Sequence, residues 1–542
     1  MRRNLIFILL IFCLSCKEEK VIEAPLNNHN ISVLTQHNDN YRSGLNNHET
    51  KLNTSNVNSK QFGKLFSLPV DDQVYAQPLV VSNVNISNNY RNVVYIATVN
   101  NTIYAFDADS ARLYWKKNFT QPGMRPPKNT DMTGACSGNY QDFSGNIGIV
   151  GTPVIDSLSH TMYFVARSVA NNNFVQYLYA IDIITGSEMA GSPVKITATY
   201  NGGGAGNVNN VLNFDGQKEN QRQGLTLVNG MVYITFAAHC DWEPYHGWIL
   251  GYDKQTLQQK IVYNDTPEGT DGGLWESGMG MAADKEGNLY VAVGNGTVGL
   301  NGDPTNLINR GESALKLTPS GNTLKILSYF TPYNFQYLED SDFDYGCMGA
   351  LLIPNSNYFL TGGKDGNLYL LNKDNMGGYS LNVNHVQQNI NLGSNAMLHS
   401  QAAYYKGTTT EYVYVWSEND QLRSFPFNRS SNMLDVSNQK ASSVAGPVGE
   451  SGAILSTSSN GDLPGTGIVW ASHPVSGDAN VQTRPGILRA FDAEDVTKEL
   501  WNNSENPNDA TGNYAKFCSP TIANGHVYLA TFSNQVVVYG LK

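Results

Sequence analysis

From about residue 75 to the end, apolar and polar positions alternate in short runs, and each run is closed by Gly, Asn or Asp. Alternation with period two marks a strand with one buried face, and those closing residues accept the backbone conformations of tight turns. The first set of runs covers residues 76–80, 93–97 and 102–106. The same sequence of runs restarts near residues 151–155, 224–227, 276–278, 347–350, 399–402, 452–455 and 519–522.

Two distant stretches are nearly copies. Ala105, Phe106, Asp107 and Trp115 in YAFDADSARLYW match Ala490, Phe491, Asp492 and Trp501 in RAFDAEDVTKELW. Weaker copies run from Tyr179-Ala180-Ile181-Asp182 to Thr185-Gly186 and through Gly251-Tyr252-Asp253-Lys254. A unit repeated along a whole chain means a circular or stacked array. Units of four antiparallel strands in this number predict an all-β, eight-bladed β-propeller. The last unit runs out after three strands, at Lys542, while residues 62–68 form a spare strand ahead of the first unit. That N-terminal strand is expected to complete the last blade and close the ring, which leaves no edge to template aggregation. A seven-bladed ring with a separate hairpin is the alternative. The repeated Asp and Trp are expected to cap turn amides and to pack between sheets, as scaffold.

The start of the chain has a different character. Arg2 and Arg3 precede an apolar run from Leu5 to Leu14, too short to span a bilayer but of signal-peptide length. It ends in Cys13-Leu14-Ser15-Cys16 and turns polar at Lys17-Glu18-Glu19-Lys20. This resembles a bacterial lipoprotein signal. The resemblance implies a signal peptide over residues 1–16 with lipidated Cys16, a flexible tether over 17–32, and attachment to the outer membrane on its periplasmic or cell-surface side. An ordinary secretory leader with an incidental cysteine is the alternative. Lys17 stands where a c-type haem site would need histidine, so that CxxC holds no haem.

Composition narrows the partners. Acidic residues outnumber basic ones by 46 to 35, a formal charge of −11, and no basic stripe carries interleaved aromatics, which argues against nucleic acid. Beyond the leader only Cys136, Cys240, Cys347 and Cys518 remain, spaced too widely for a zinc knuckle. Disulfides and buried free thiols both fit them. No G-x-S-x-G elbow, P-loop or HExxH motif occurs, so hydrolase and nucleotide chemistry lack support.

The repeated motif is similar to the docking motif Ala-x-Asp-x-x-Thr-Gly-x-x-x-Trp of the PQQ-repeat propellers, the quinoprotein alcohol dehydrogenase-like family. Here Ser110-Ala111 and Asp495-Val496 replace Thr-Gly, and Trp501 falls one residue late. The run His37-Asn38-Asp39-Asn40-Tyr41-Arg42-Ser43-Gly44 also resembles the opening segment of such propellers. The resemblance implies a propeller over residues 33–542. It also brings two functional expectations. One is a binding or scaffold module of the cell envelope, taking an envelope protein, a polysaccharide or a small molecule in its central funnel. The other is an oxidoreductase that uses PQQ, with calcium, to oxidise an alcohol or sugar. The adjacent cysteines that such dehydrogenases place above the quinone are absent, and their calcium-ligand set finds no residue-by-residue match.

Three places carry candidate chemistry. Opening strands line a propeller's channel, so Gln77, Thr152, Arg222, Trp275, Glu276, His399 and Lys516 are expected to converge on the axis and to form the cofactor-binding or ligand-binding set. Arg222 and Lys516 would pair with carboxylates and Trp275 would stack on a planar ring. The run His239-Cys240-Asp241-Trp242-Glu243-Pro244-Tyr245-His246-Gly247-Trp248 should lie on one rim, either as a metal or ring-stacking site or as a loop packing its own aromatics. The acidic run from Glu339 to Gly346 looks like a calcium loop, but Tyr345 and Leu351 stand where an EF-hand needs Gly and Glu. No metal ligands are assigned.

Overall fold

Strands form where the alternation is cleanest. The computed structural model describes residues 31–542; the expected signal peptide, the expected lipidation site Cys16 and nearly all of the expected tether lie outside the described residues. Eight antiparallel sheets of four main strands follow one another along the chain. Blade 1 is built from Leu79–Ile86, Asn89–Ala97, Thr102–Asp107 and Leu113–Asn118. The inner strands of blades 2 to 8 are Val154–Asp156, Thr226–Val228, Ala282–Ala283, Met348–Leu352, Ala403–Lys406, Ile454–Ser458 and Thr521–Ala523.

Phe62–Pro69 closes the ring. It pairs antiparallel with Gln535–Leu541, setting Phe62 opposite Leu541 and Leu68 opposite Val536, so the first strand of the circle completes the last blade. The inner strands of blades 1 and 8 also pack side by side. The structure has eight blades, not seven with a separate hairpin.

The repeated motif holds the blades as the sequence implies. Asp182 Oδ1 accepts the Thr185 amide at 2.7 Å, and Asp253 Oδ1 accepts the Thr256 amide at 2.8 Å. Trp115 Nε1 of blade 1 donates to the Ile183 carbonyl at the end of a blade 2 strand, 3.1 Å away. Trp501 of blade 7 is fully buried and meets Phe62 of the closing strand edge-on, with centroids 4.9 Å apart. Each contact buries a large ring between neighbouring sheets, where a truncation would open a cavity.

Residues 33–46 form an inner ring. Val33 exchanges backbone bonds with Val80 of blade 1, and Leu34 accepts from Ile155 of blade 2. Asn40 Nδ2 reaches the Leu227 carbonyl of blade 3, and the Asn40 carbonyl accepts from Ala283 of blade 4. Tyr41, Ser43 and Gly44 accept from Leu352, Tyr404 and Thr457 of blades 5, 6 and 7. Asn46 Nδ2 then donates to Ile522 of blade 8. Arg42 is wholly buried at its centre and donates to the carbonyls of Gln36, Gly280 and Met281 and the hydroxyls of Thr35 and Thr226. Gly44 has φ +69°, and a Cβ there would sit 2.5 Å from His37 Nε2, so glycine is required. This segment runs across the inner strands of all eight blades near the ring axis.

Candidate ligand-binding cavity

At the end where the inner strands begin, the connecting loops leave a cavity of about 220 Å3. Its wall includes Asp142, Arg222, Asp241, Trp275, Asp344, Lys364, His399 and Glu450. A disulfide between Cys136 and Cys240 forms part of the same wall. It ties the long connection between blades 1 and 2 to the 239–247 loop of blade 3. Cys347 and Cys518 are free and buried.

Three ion clusters surround the cavity. Lys516 Nζ bonds Asp142 and the Asn480 carbonyl and lies 3.8 Å from Glu450, while Arg222 approaches Asp142 at 3.6 Å. Burial alone would push the Asp142 carboxyl up, but Arg222 and Lys516 outweigh it and hold the group well below the usual carboxylate range. Lys364 pairs with Asp344 at 2.6 Å and Asp342 at 2.7 Å. His399 bonds Glu418 through Nδ1 and has Nε2 4.0 Å from Glu450. The half-buried Trp275 ring lies between these clusters, 5.6 Å from the His399 ring and 5.8 Å from Lys364 Nζ.

Two groups in this wall keep bonding capacity to spare. Arg222 Nη2 is buried and has no hydrogen-bond acceptor, although the guanidinium rests 4.5 Å from the Phe517 ring centre. Asp241 accepts from the Tyr245 hydroxyl at 2.8 Å. Asp241 is exposed at the cavity mouth, and partial desolvation between the loops, then the charge of Asp344, push its carboxyl up from the usual range. The cavity thus offers a guanidinium only loosely paired with Asp142, an aromatic face and the Asp241 carboxyl.

The expected axial set divides by depth. Arg222, Trp275 and His399 line the cavity. Lys516 lies just beneath, beside a small void it shares with Thr152 and Arg222. Gln77 and Thr152 belong to a buried network: the Gln77 amide donates to Thr152 Oγ1, and its side chain bridges the His37 amide and Thr521 Oγ1. Glu276 is fully buried behind Trp275 and accepts the Ala292 amide at 2.9 Å; burial pushes it up to about 8.

The 239–248 run packs its rings against other segments: His239 on Tyr140 and Phe143, Trp242 beside Lys218, and Trp248 on Phe214. His239 turns inward to the Tyr140 hydroxyl and Arg167, and His246 bonds Thr266 and the Ala205 carbonyl, so the two histidines do not meet. Its contributions to the cavity are Cys240, Asp241 and Tyr245. In the acidic run, Asp342 and Asp344 hold the Lys364 ammonium rather than a cation. Among the described residues no three His, Cys, Asp or Glu side chains converge as metal ligands.

No family model matches the chain, and no curated protein matches it. Solved structures do. The europium-containing methanol dehydrogenase superposes with a TM-score of 0.60 at 10% identity, covering 94% of this chain and 98% of that one. The quinohemoprotein alcohol dehydrogenase of Comamonas testosteroni gives 0.56 at 13% identity, and enzyme ADHIIG of Pseudomonas putida HK5 gives 0.55 at 15%. In both cases 94% of this chain and 80% of the other are covered. The shared property is the fold. At these identities chemistry must be argued from the cavity itself.

Proposed function

We propose that this protein is a lipid-anchored propeller of the cell envelope that binds a small, planar, anionic molecule in the cavity beside Trp275. The observation that carries this reading is the Arg222 guanidinium, which lines the cavity with Trp275 and meets Asp142 only at 3.6 Å, with no hydrogen-bond acceptor for its buried Nη2. A buried guanidinium hydrogen without an acceptor costs free energy that a ligand carboxylate would recover. The size of the cavity, about 220 Å3, favours a small molecule over a polysaccharide or an envelope protein.

A second reading makes the ligand a redox cofactor. The fold neighbours are alcohol dehydrogenases, two of them described as quinohemoproteins. The organic part of a pyrroloquinoline quinone fits the residues present: Trp275 would stack on its rings, and Arg222 and Lys364, which also line the cavity, would meet its carboxylates. The accompanying divalent cation does not fit, because the cavity carboxylates are engaged by Lys364, Lys516 and Arg222. When bound, a quinone supplies a two-electron acceptor for alcohol oxidation. Asp241 is the carboxyl placed to take a proton from a hydroxyl group in the cavity, and Tyr245 orients it.

Titration of the purified protein with pyrroloquinoline quinone, with and without calcium, tests both readings. Quenching of Trp275 fluorescence, lost in Trp275→Leu and Arg222→Gln, supports the cavity assignment. Dye-coupled oxidation of simple alcohols or sugars would add the enzyme reading. Saturable binding without turnover leaves a ligand-binding module, and no quenching by aromatic polycarboxylates would overturn the cavity assignment.

A further inference from the structure

His399 and Glu418 are held side by side by two loops of blade 6. One loop leads into the inner strand Ala403–Lys406, and the other follows the strand Glu411–Val415. The Glu418 amide donates to the Met397 carbonyl at 3.1 Å, and Asn419 Nδ2 donates to the Asn395 carbonyl at 3.0 Å, which stitches the loops together beside the pair. His399 is 6% exposed and Glu418 5%. Asp142, Asp342 and Asp344 all take lysine partners, but among the described residues Glu418 pairs with no Lys or Arg; its partner is His399 Nδ1.

An ionised carboxylate only accepts, so the hydrogen between the two groups sits on Nδ1. In the neutral ring the lone pair is then on Nε2. Nε2 has no hydrogen-bond partner among the described residues and meets Glu450 only at 4.0 Å, and both His399 and Glu450 line the cavity. A ring nitrogen open to a cavity, with the other nitrogen fixed by a carboxylate behind it, is built to take a hydrogen from a bound O–H group. Arg222 and His399 stand at the two ends of one aromatic row. The guanidinium lies 4.5 Å from the Phe517 ring centre, Phe517 lies 6.4 Å from Trp275, and Trp275 lies 5.6 Å from His399.

We propose that His399, positioned by Glu418, accepts a hydrogen bond from a hydroxyl of the ligand, so that the cavity selects planar hydroxy acids. Their carboxylate meets Arg222, and their hydroxyl meets Nε2 at the other end of the aromatic row. The inference rests on the anionic-ligand reading of the cavity and adds a second point of recognition to it. A ligand without the hydroxyl leaves the Nε2 lone pair unmatched, which is how a site built for a hydroxyl rejects an analogue that lacks it. A second acid group at that end would face the carboxylates of Glu418 and Glu450, whereas a neutral hydroxyl meets no like charge.

The test is calorimetric titration of the purified protein with 4-hydroxybenzoate and the longer 4-hydroxycinnamate, each against its 4-fluoro counterpart, which keeps the size and loses the hydrogen. One neutral hydrogen bond predicts that at least one hydroxy acid binds about 3- to 10-fold more tightly than its fluoro partner. This preference should vanish in His399→Leu. In Glu418→Gln, whose amide can donate as well as accept, nitrogen-15 spectra of histidine-labelled protein should show both tautomers of His399, and the preference should shrink. In the wild type, the Nε2 resonance of His399 should move on adding the hydroxy acid and stay in place with the fluoro acid. Should His399→Leu fail to fold, that resonance decides, and an unmoved Nε2 overturns the inference. Equal binding within both pairs, or a preference kept by His399→Leu, overturns the hydroxyl contact and leaves the anionic-ligand reading standing. If none of the four acids binds, or if Arg222→Gln binds them as well as the wild type does, that reading fails and the inference falls with it.

Discussion

Arg222 stops 3.6 Å short of Asp142, close enough to feel its charge and too far to share a hydrogen with it. Lys516 has already taken that carboxylate, so one arm of the guanidinium is left buried and unmatched. A charge-assisted hydrogen bond is worth roughly 1.5–3 kcal/mol, so Arg222→Gln should weaken binding of an anionic ligand about 10- to 100-fold. Isothermal titration of the variant and the wild type checks this. Unchanged affinity would remove Arg222 from the site.

The Cys136–Cys240 bond closes a loop with a sequence separation of 104 and holds one wall of the cavity. Cross-links over loops of this size stabilise by roughly 2–5 kcal/mol. Cys136→Ser with Cys240→Ser should lower the melting temperature, and a thiol reductant should do the same to the wild type. Ligand affinity should fall with it, because Asp142 and Asp241 are carried by the two segments that the bond joins. A reductant-insensitive melting curve would argue that the bond is not formed in solution.

Stability should depend on pH in an unusual direction. Burial pushes the carboxyl of Asp271 up to about 7 and that of Glu276 up to about 8. Both ionise near 4 in the unfolded chain, so between these values the folded protein holds more protons than the unfolded one. Their contribution is complete at low pH and is lost as pH rises through 7 and 8. Buried His37 and His473, lowered to about 4 and about 3, oppose this only below about 6.5. Moving from pH 8 to pH 6.5 should therefore add on the order of 1–2 kcal/mol, read as a higher denaturant midpoint. A flat profile across that interval would show that the two carboxyls are not held protonated.

Arg42 has no carboxylate partner; its donors satisfy backbone carbonyls and two hydroxyls at the centre of the inner ring. Arg42→Met keeps the length but strands those acceptors, and should cost about 3 kcal/mol or more. Gly44→Ala should be comparably severe, because it adds strain at positive φ and a clash with His37. Chemical denaturation of both variants checks this. A loss under 1 kcal/mol in each would mean that the ring is peripheral to stability.

The blades were legible because each is a local statement: alternation, turn, alternation, Asp cap. Even the closing strand could be read, since a circle with three strands in its last sheet demands a fourth. The cavity was legible only in part. Arg222, Trp275 and His399 stand in the loops that lead into their inner strands and line the cavity, while Gln77 and Thr152 stand immediately ahead of theirs, one layer deeper. Lys364 sits in an ordinary Lys-Asp-Gly turn, and nothing nearby in sequence marks it as the partner of Asp342 and Asp344. The pairing of Cys136 with Cys240 is likewise set by how two long loops fold over the funnel, and spacing along the chain carries no trace of it.

The inner ring also constrains how the molecule is made. Residues 33–46 need the inner strands of all eight blades as partners, and the closing strand Phe62–Pro69 needs Gln535–Leu541. The first portion of the propeller to emerge from the ribosome is thus among the last to find its place. Such contacts between chain ends raise contact order and slow the final step, during which unpaired strand edges are open to association. A chain cut short anywhere before its last blade would keep its early sheets yet lack both the seal and a complete inner ring, so ligand binding reports on completed synthesis as well as on the site.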